Sequence, residues 1–444
     1  MAKISLDIIN PNAAGIDIGS KSHFVSIGQD TGDVREFGVY TKDHQEMIKW
    51  LRENGVSTIA MESTGTYWQT LFNALQFEGF EVLLVNGRDI KNVKGKKTDV
   101  IDCMWIQQLH SLGLLSGSFL PDECTRQLQT YYNHRQGFIR HRAKYTQKMQ
   151  KALRLMNIRL DIAIRDITGK TGLAIIEAIL QGERDPIVLA NLSDIRVKKS
   201  KSEIALSLEG EWKDDLIFVL QDCLDMYKIY KEKVIKVDQM IEQLLENTFV
   251  TKTDTELPLP KLRKRKKAHK NVPSFNIRPI AWKIFNVDLY QIEGISHGTV
   301  LSLLSKLGEG LHKFPSSKHF VSWLRLAPNN KVSGGKIISS RSPKGRNHLS
   351  YSLRQAANSI GNSKDHVLKP FFNRIAFRKG RGAAITATAR KLATIIYHML
   401  TDKKEFAPAY HNQEGFERRM KIFSLKKKLS SLNLTQEEKA SILV

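Results

Sequence analysis

Cysteine is almost absent: Cys103, Cys124 and Cys223 are the only three in 444 residues. They are odd in number and lack metal-ligand spacing, which argues against a disulfide framework or a zinc site and fits a reducing cytosol. No stretch approaches the roughly 18 consecutive apolar residues that span a bilayer. The first residues also lack a basic leader followed by an apolar core, so the expectation is a cytoplasmic protein with no membrane partner. Acidic residues are scarce as well. Forty-five Asp and Glu face 69 Lys and Arg, leaving a net charge of +24 and a pI near 9.8. That imbalance is the footprint of a nucleic-acid binder, although ribosomal, membrane-surface and RNA-chaperone proteins share it. Hydrophobic residues make up 41% of the chain, enough for the cores of two or three domains.

The few acids are not scattered at random. The stretch 93–114, VKGKKTDVIDCMWIQQLHSLGL, reads as a basic glycine-containing loop followed by a helix. Thr98 is its N-cap, and Asp99 and Asp102 lie at i and i+3 on one face of the first turn. Taken alone, such a pair commonly does no more than complement the helix dipole. Upstream, GIDIG, HFVSIGQ and VREFGVY read as three hairpin-linked strands. They are followed by an amphipathic helix over 43–54, the strand STIAME, a helix over 67–77 and the apolar strand FEVLLVN. This order predicts an α/β domain with a mixed sheet and right-handed crossovers. Asp17 falls in the first strand and Glu62 at the C-terminal end of the fourth, its expected neighbour. Four carboxylates would then converge, and like charges packed together call for oxygen-liganded Mg²⁺ or Mn²⁺. Two such ions about 4 Å apart activate a nucleophile and stabilise a leaving oxygen in phosphoryl transfer.

Between Cys124 and Leu160 there is no acid, while Arg135, Arg142, Lys148, Lys151 and Arg154 recur with four other cations among loosely helical apolar residues. A single-sign helix of this kind is expected to meet phosphate, the alternative being a solvated basic face. From Trp212 to Asn247 apolar residues alternate in steps of four and three from Leu216 to Leu244, the seam of a coiled coil. Its partner is either the basic helix folded back or the same helix of another subunit. Residues 251–278 hold three prolines and the run KLRKRKKAHK, with seven Lys or Arg in ten, and read as a basic linker and domain boundary. Beyond it, IEGISHGTVLSLLSKLG reads as a helix, tight turn and helix like the hairpins that grip DNA phosphates. FPSSKHFVSWLRL reads as a further helix. The stretch NNKVSGGKIISSRSPKGRNHLSYSLRQAA centres on Ser333, which on local grounds alone is a turn serine. Gly334 and Gly335 would let backbone approach closely, and Lys336, Arg341, Lys344 and Arg346 would clamp a phosphate. From Lys331 to Lys391 fourteen cations, Arg354, Arg378, Lys379 and Arg381 among them, face one acid, Asp365, which marks a DNA-facing surface.

GIDIGSKSHFVSI, AMESTGTYW and KTDVIDCMWIQQL, with the later Ser-Gly-Gly after a Leu-Ala-Pro turn and the Lys-Gly-Arg-Asn segment, resemble a family of bacterial insertion-sequence transposases. These join an RNase H-like, RuvC-type DEDD domain to a serine-bearing C-terminal domain, and are known as the bridge-RNA-guided recombinases. The resemblance covers about residues 12–160 and 285–400; Ser296 departs from it, standing where the family has a glycine, and the middle is longer than expected. It implies an RNase H-like domain over 12–118 with Asp17, Glu62, Asp99 and Asp102 as its catalytic, metal-binding acids. A helical coiled-coil region over 122–250 would bind RNA and oligomerise, and the linker over 251–278 would lead to a mostly α-helical transposase domain over 279–401 and a charged tail over 402–444. It further implies that Ser333 attacks a DNA phosphate and holds the strand covalently. A structured noncoding guide RNA, a homo-oligomer of two or four subunits and a nucleoid-associated location complete the implied picture. A Mg²⁺-dependent junction nuclease in which Ser333 is incidental, and an inactive nucleic-acid-binding scaffold, are the competing readings. GIDIGSKS also resembles a sugar-kinase phosphate loop, but no second phosphate motif follows.

Overall fold

The computed structural model of the chain describes residues 7–63, 65–90, 98–248, 258–261, 270–343, 345, 347–364 and 366–406, with 422 and 425. Lys344, Arg346, Asp365, the basic loop before Asp99, most of the linker and most of the tail lie outside the described residues. The chain divides into two compact units, 1–120 and 121–444, so the boundary expected within 251–278 falls inside the second unit.

The first unit opens with β1 (Ala13–Ile18), β2 (His23–Ser26) and β3 (Val34–Phe37), an antiparallel meander as expected. Then follow α1 (Thr41–Glu53), β4 (Thr58–Glu62), α2 (Trp68–Phe77), β5 (Glu81–Val85), the single turn α3 (Gly87–Ile90) and α4 (Asp99–Ser111). The mixed sheet has the order β3-β2-β1-β4-β5, with β4 and β5 parallel to β1. Strand alternation assigns its two faces. Ile16, Ile18, Ile59 and Met61 point into a core closed by Met47 and Leu51 of α1 and Leu71 and Leu75 of α2. Gly15, Ala60 and Val85 turn the other way, toward α4, where Ala60 and Val85 pack on Ile90 and Ile106.

Two buried histidines, His23 of β2 and His44 of α1, place their ring centroids 5.6 Å apart. Burial, reinforced by His44, pulls His23 down to about 4; burial also lowers His44, against the opposing pull of Asp43. Both therefore fold as neutral rings.

The second unit is almost wholly helical. Its first half consists of α5 (Glu123–Leu155), α6 (Leu160–Ala163), α7 (Lys170–Leu180), α8 (Pro186–Asn191), α9 (Lys201–Leu206) and α10 (Asp214–Thr248). Of the two partners left open for the seam, α5 of the same chain packs on α10, antiparallel: Arg135 meets Asp238, and Tyr145 stacks on Tyr230 at 5.7 Å. Leu220, Cys223, Tyr227, Val234, Val237 and Ile241 are all buried in α10. At one end of the pair, Met149 and Leu153 share a core with Ile175 and Ile179 of α7, Leu189 of α8 and Ile204 of α9.

The second half follows with α11 (Ile277–Phe285), α12 (His297–Leu307), α13 (Ser317–Trp323), the hairpin β6 (Lys331–Ser333) and β7 (Lys336–Ser339), α14 (His348–Asn362), α15 (Lys369–Lys379) and α16 (Arg381–Asp402). The helix expected over 314–326 is shorter, because Ser316 starts it and the chain turns at Arg325, whose φ is +56°. Residues 374–390 hold the end of α15 and the start of α16, which meet at Gly380. α12 is buried along most of its length and packs against α5, where a Cβ at Gly308 would collide with the Thr125 hydroxyl. The two halves are also stitched by charge. Arg135, 2% exposed, pairs with Asp238, 1% exposed, and both reach the segment just after the linker: Arg135 Nη2 donates to the Asn271 carbonyl at 3.2 Å, and Asp238 accepts from the Ser274 amide at 2.9 Å.

Two stability predictions follow from these buried groups. Asp238→Ala strands the Arg135 guanidinium in the interior and is expected to cost about 3–5 kcal/mol, read by urea unfolding followed by circular dichroism, whereas Arg135→Met combined with Asp238→Leu recovers most of that loss. For the histidines, the folded pKa lies below the unfolded value of about 6.5, so the unfolded chain takes up protons first as pH falls. Their contribution is therefore full above about pH 6.5 and is lost toward pH 4. His23→Phe should flatten the dependence of the melting temperature on pH across that window.

Candidate active site

The four sequence-selected acids come from β1, β4 and α4. The β1–β4 register pairs Gly15 with Ala60 and Ile16 with Met61. One step further along, it sets Asp17 beside Glu62, and alternation puts both on the face that α4 covers. Helix α4 begins where expected: Thr98 is the N-cap, its hydroxyl accepting from the Ile101 amide at 3.3 Å, and Asp99 and Asp102 occupy the first turn. Gly15 brings the helix down onto β1, since a Cβ there would collide with the Gln107 nitrogen and the Cys103 carbonyl oxygen. The Gln107 amide then donates to the Ala13 carbonyl at 3.2 Å, and Thr58 and His110 hydrogen-bond at 2.9 Å, pinning the far end of α4 to β1 and β4.

One thiol triangulates the result. Desolvation pushes Cys103 up to about 12, and the carboxylates of Asp17 and Asp102 both add to the rise. Asp17 from the sheet and Asp102 from the helix thus share one neighbourhood. Glu62 sits at the adjoining strand end, its carboxylate against Gly87 at the start of α3, while Asp99 is exposed. The donors are all carboxylate oxygens, the set that a hard divalent cation takes. Among the described residues, no three acids, histidines or cysteines gather tightly enough to hold a metal ion.

Ser333 ends β6 at the tip of the exposed hairpin and pairs with Lys336 across Gly334 and Gly335. Their φ values of +54° and +73° define a two-residue turn of type I′, which requires positive φ at both positions. No described protein atom lies within 4 Å of a Cβ built at either glycine, so within the fold it is the turn's backbone that calls for glycine here. Lys336 and Arg341 are exposed on the same hairpin and its exit.

The other selected cations separate into groups. Arg135 and Arg142 are buried and held by Asp238 and Asn271, with Arg142 Nη2 at 2.7 Å from Asn271 Oδ1, so the expectation that they meet phosphate is corrected: their charge is used inside the fold. Arg154 hydrogen-bonds Asp161 at 2.6 Å, whereas Lys148 and Lys151 are exposed on α5. Arg378 and Lys379 are exposed at the end of α15; Arg381 donates to Asn358 and Asn362, and Arg354 to Thr386. Ser296, where a phosphate-gripping turn was considered, caps α12 by accepting from the Thr299 amide at 3.2 Å. Sequence reading passed over Arg325, a lone cation in an apolar run whose left-handed backbone no spacing signal marks.

Comparison with known families bears directly on these two sites. Residues 14–158 match the family model of the DEDD-type IS110 transposases, described as a transposase, and residues 288–372 match the model described as the transposase IS116/IS110/IS902 family. The first match runs from β1 through α5, and the second contains Ser333 and its hairpin. No curated protein matches the chain. The molecule is an enzyme of the DNA transposase and recombinase class, with DNA as its substrate. It belongs to the IS110 family of insertion-sequence transposases, whose two domains together span about half of the chain.

Because Gly15 sets the height of α4 above the sheet, Gly15→Ala is expected to lower stability by about 1–3 kcal/mol through overpacking. Hydrogen exchange should report it as faster exchange confined to α4 and β1, and unchanged protection in α10 counts against a global effect.

Proposed function

We propose that this transposase excises and inserts its element by strand cleavage and exchange that depends on Mg²⁺ or Mn²⁺, with Ser333 as the nucleophile and a structured noncoding RNA pairing with target and donor DNA. The observation that carries the reading is the β1–β4 register beneath α4, which sets the C-terminal ends of the strands bearing Asp17 and Glu62 side by side under the helix bearing Asp99 and Asp102. Those four carboxylates would hold the divalent ion, which supplies charge neutralisation at a strand phosphate when bound.

Ser333 supplies the covalent step. Its Oγ forms a bond to phosphorus as the bond from phosphorus to the leaving strand's oxygen breaks; the hydroxyl proton is released and the departing oxygen takes one up. A serine hydroxyl attacks an anionic phosphodiester only when the phosphate's charge is offset. Lys336, fixed opposite Ser333 by the turn, and Arg341 lie on the segment that can offset it. Exposure of the whole hairpin suits a serine that must meet a strand on the surface. Lys148 and Lys151 on α5, together with Arg378, Lys379 and Arg381, extend the basic contact surface for DNA and guide RNA. A homo-oligomer, dimer or tetramer, would let one subunit's acids serve another's serine. No described helix is long and apolar enough to cross a membrane, and the proposed location is the bacterial nucleoid.

The test mixes the protein with element-end DNA, flanking transcripts and Mg²⁺, then denatures it and looks for a protein–DNA adduct. The wild type is expected to form one and Ser333→Ala to lose it; cleaved ends without adduct in both proteins would instead indicate water attack at the acid cluster. Asp102→Asn should abolish strand exchange while leaving DNA affinity within about twofold, because it removes an acid from a basic chain. Full recombination by that variant would refute the metal-site role.

A further inference from the structure

A cleft of about 1130 Å³ opens within the second unit, between α5, the start of α12 and one face of α14. Four arginines line it, Arg135, Arg140, Arg325 and Arg354, and no aspartate or glutamate does among the described residues. Arg135 is matched by Asp238, as Arg278 is by Asp288 elsewhere in this unit. The charged side chains that line the cleft among the described residues are thus all of one sign.

The other three arginines are each placed by a separate device. Arg325 adopts a left-handed backbone, φ +56°, and its guanidinium lies against Gly345, where any Cβ would collide with it. Strained backbone of this kind is held only where surrounding structure fixes it. Arg354 is oriented by its 2.7 Å hydrogen bond to Thr386, and Arg140 projects from α5. Helices α12 and α14 both start at this cleft, capped by Ser296 and Asn347, so the positive ends of two dipoles add to the field. Their own cap side chains occupy some of the first amides, so the helices contribute field more than open donors.

The cleft also carries aromatic surface. His348, Tyr351 and Arg354 follow at three-residue steps along α14, and Tyr351 is 63% exposed. Behind it His348 meets Tyr132 edge-on at 5.8 Å, and burial, together with Lys306 and Arg140, lowers the imidazole's pKa and keeps it uncharged at neutral pH. Aromatic faces beside cations are the recurring means of holding unpaired nucleotides, whose bases are free to stack. The volume corresponds to roughly 10 Å on a side, which admits one strand but not a duplex whose major groove alone is about 12 Å wide.

We infer that this cleft binds an unpaired stretch of nucleic acid, with backbone phosphates against Arg140, Arg325 and Arg354 and a base stacked on Tyr351. The inference is independent of the role of Ser333, since it concerns binding without cleavage. Fluorescence anisotropy of the full chain with labelled oligothymidylate, oligouridylate and a blunt duplex tests it. Tyr351→Ala should weaken single-strand binding about tenfold with little change on duplex, and Arg140→Ala should lower the slope of log affinity against log salt by about one. Arg196→Ala, which removes a cation paired with Asp194 away from the cleft, should change neither, and Tyr351→Phe should retain affinity. Tighter binding of the thymidylate assigns the cleft to displaced DNA, and tighter binding of the uridylate assigns it to RNA. Single-strand affinity unchanged in Tyr351→Ala, or lost equally on duplex, would overturn it.

Discussion

The height of α4 above the sheet is set at one residue without a side chain. At Gly15 the helix backbone rests directly on β1, and this contact sets how far the acids at its first turn lie from the strand ends. A larger residue would move Asp99 and Asp102 outward together, because a helix shifts as a rigid body. The backbone register of β1 and β4 supplies the other half of the arrangement, so two of the acids are positioned by hydrogen-bonded ladders and two by packing. Such placement tolerates change at many side chains but very little at this glycine.

In the second unit, scarcity of acids is the organising constraint. Asp238 and Asp288 are spent on buried pairs with Arg135 and Arg278, Asp161 on Arg154, and Asp166 on Lys270. Each of these joins separate segments of chain. With these four acids committed to fastening separate segments, the positive surface of the unit follows in part from how the fold is held together as well as from composition.

Much of the first unit was legible in the sequence because strands and helices there keep clean periods. GIDIG, STIAME and the Thr98-capped helix were each located correctly, and the neighbouring of β1 and β4 followed from topology. Less could be read where tertiary structure reassigns a residue's surroundings. Arg135 and Arg142 resembled their neighbours on a single-sign helix, and only the return of α10 and the Asn271 segment reveals that they point inward. The seam of α10 was visible while its partner was not, since periodicity describes a face and not what covers it. Ser333 and its glycines were noticed, but a positive φ and a close contact both call for glycine, and the sequence does not separate them. Arg325 gained its place beside Gly345 through a backbone turn that no spacing rule encodes.

The turn at Gly334 and Gly335 has a consequence for how this protein can vary. Side chains along a hairpin strand alternate sides, and the length of the connecting loop fixes the phase of that alternation. Ser333 is therefore aimed by a count of residues. Loss or gain of a single residue in the turn would rotate the serine to the opposite side of the ribbon, leaving every charge and every buried contact of the unit in place. Substitutions around the hairpin can accumulate gradually, whereas changes in its length act as a switch, so the loop is expected to drift in chemistry and hold its size.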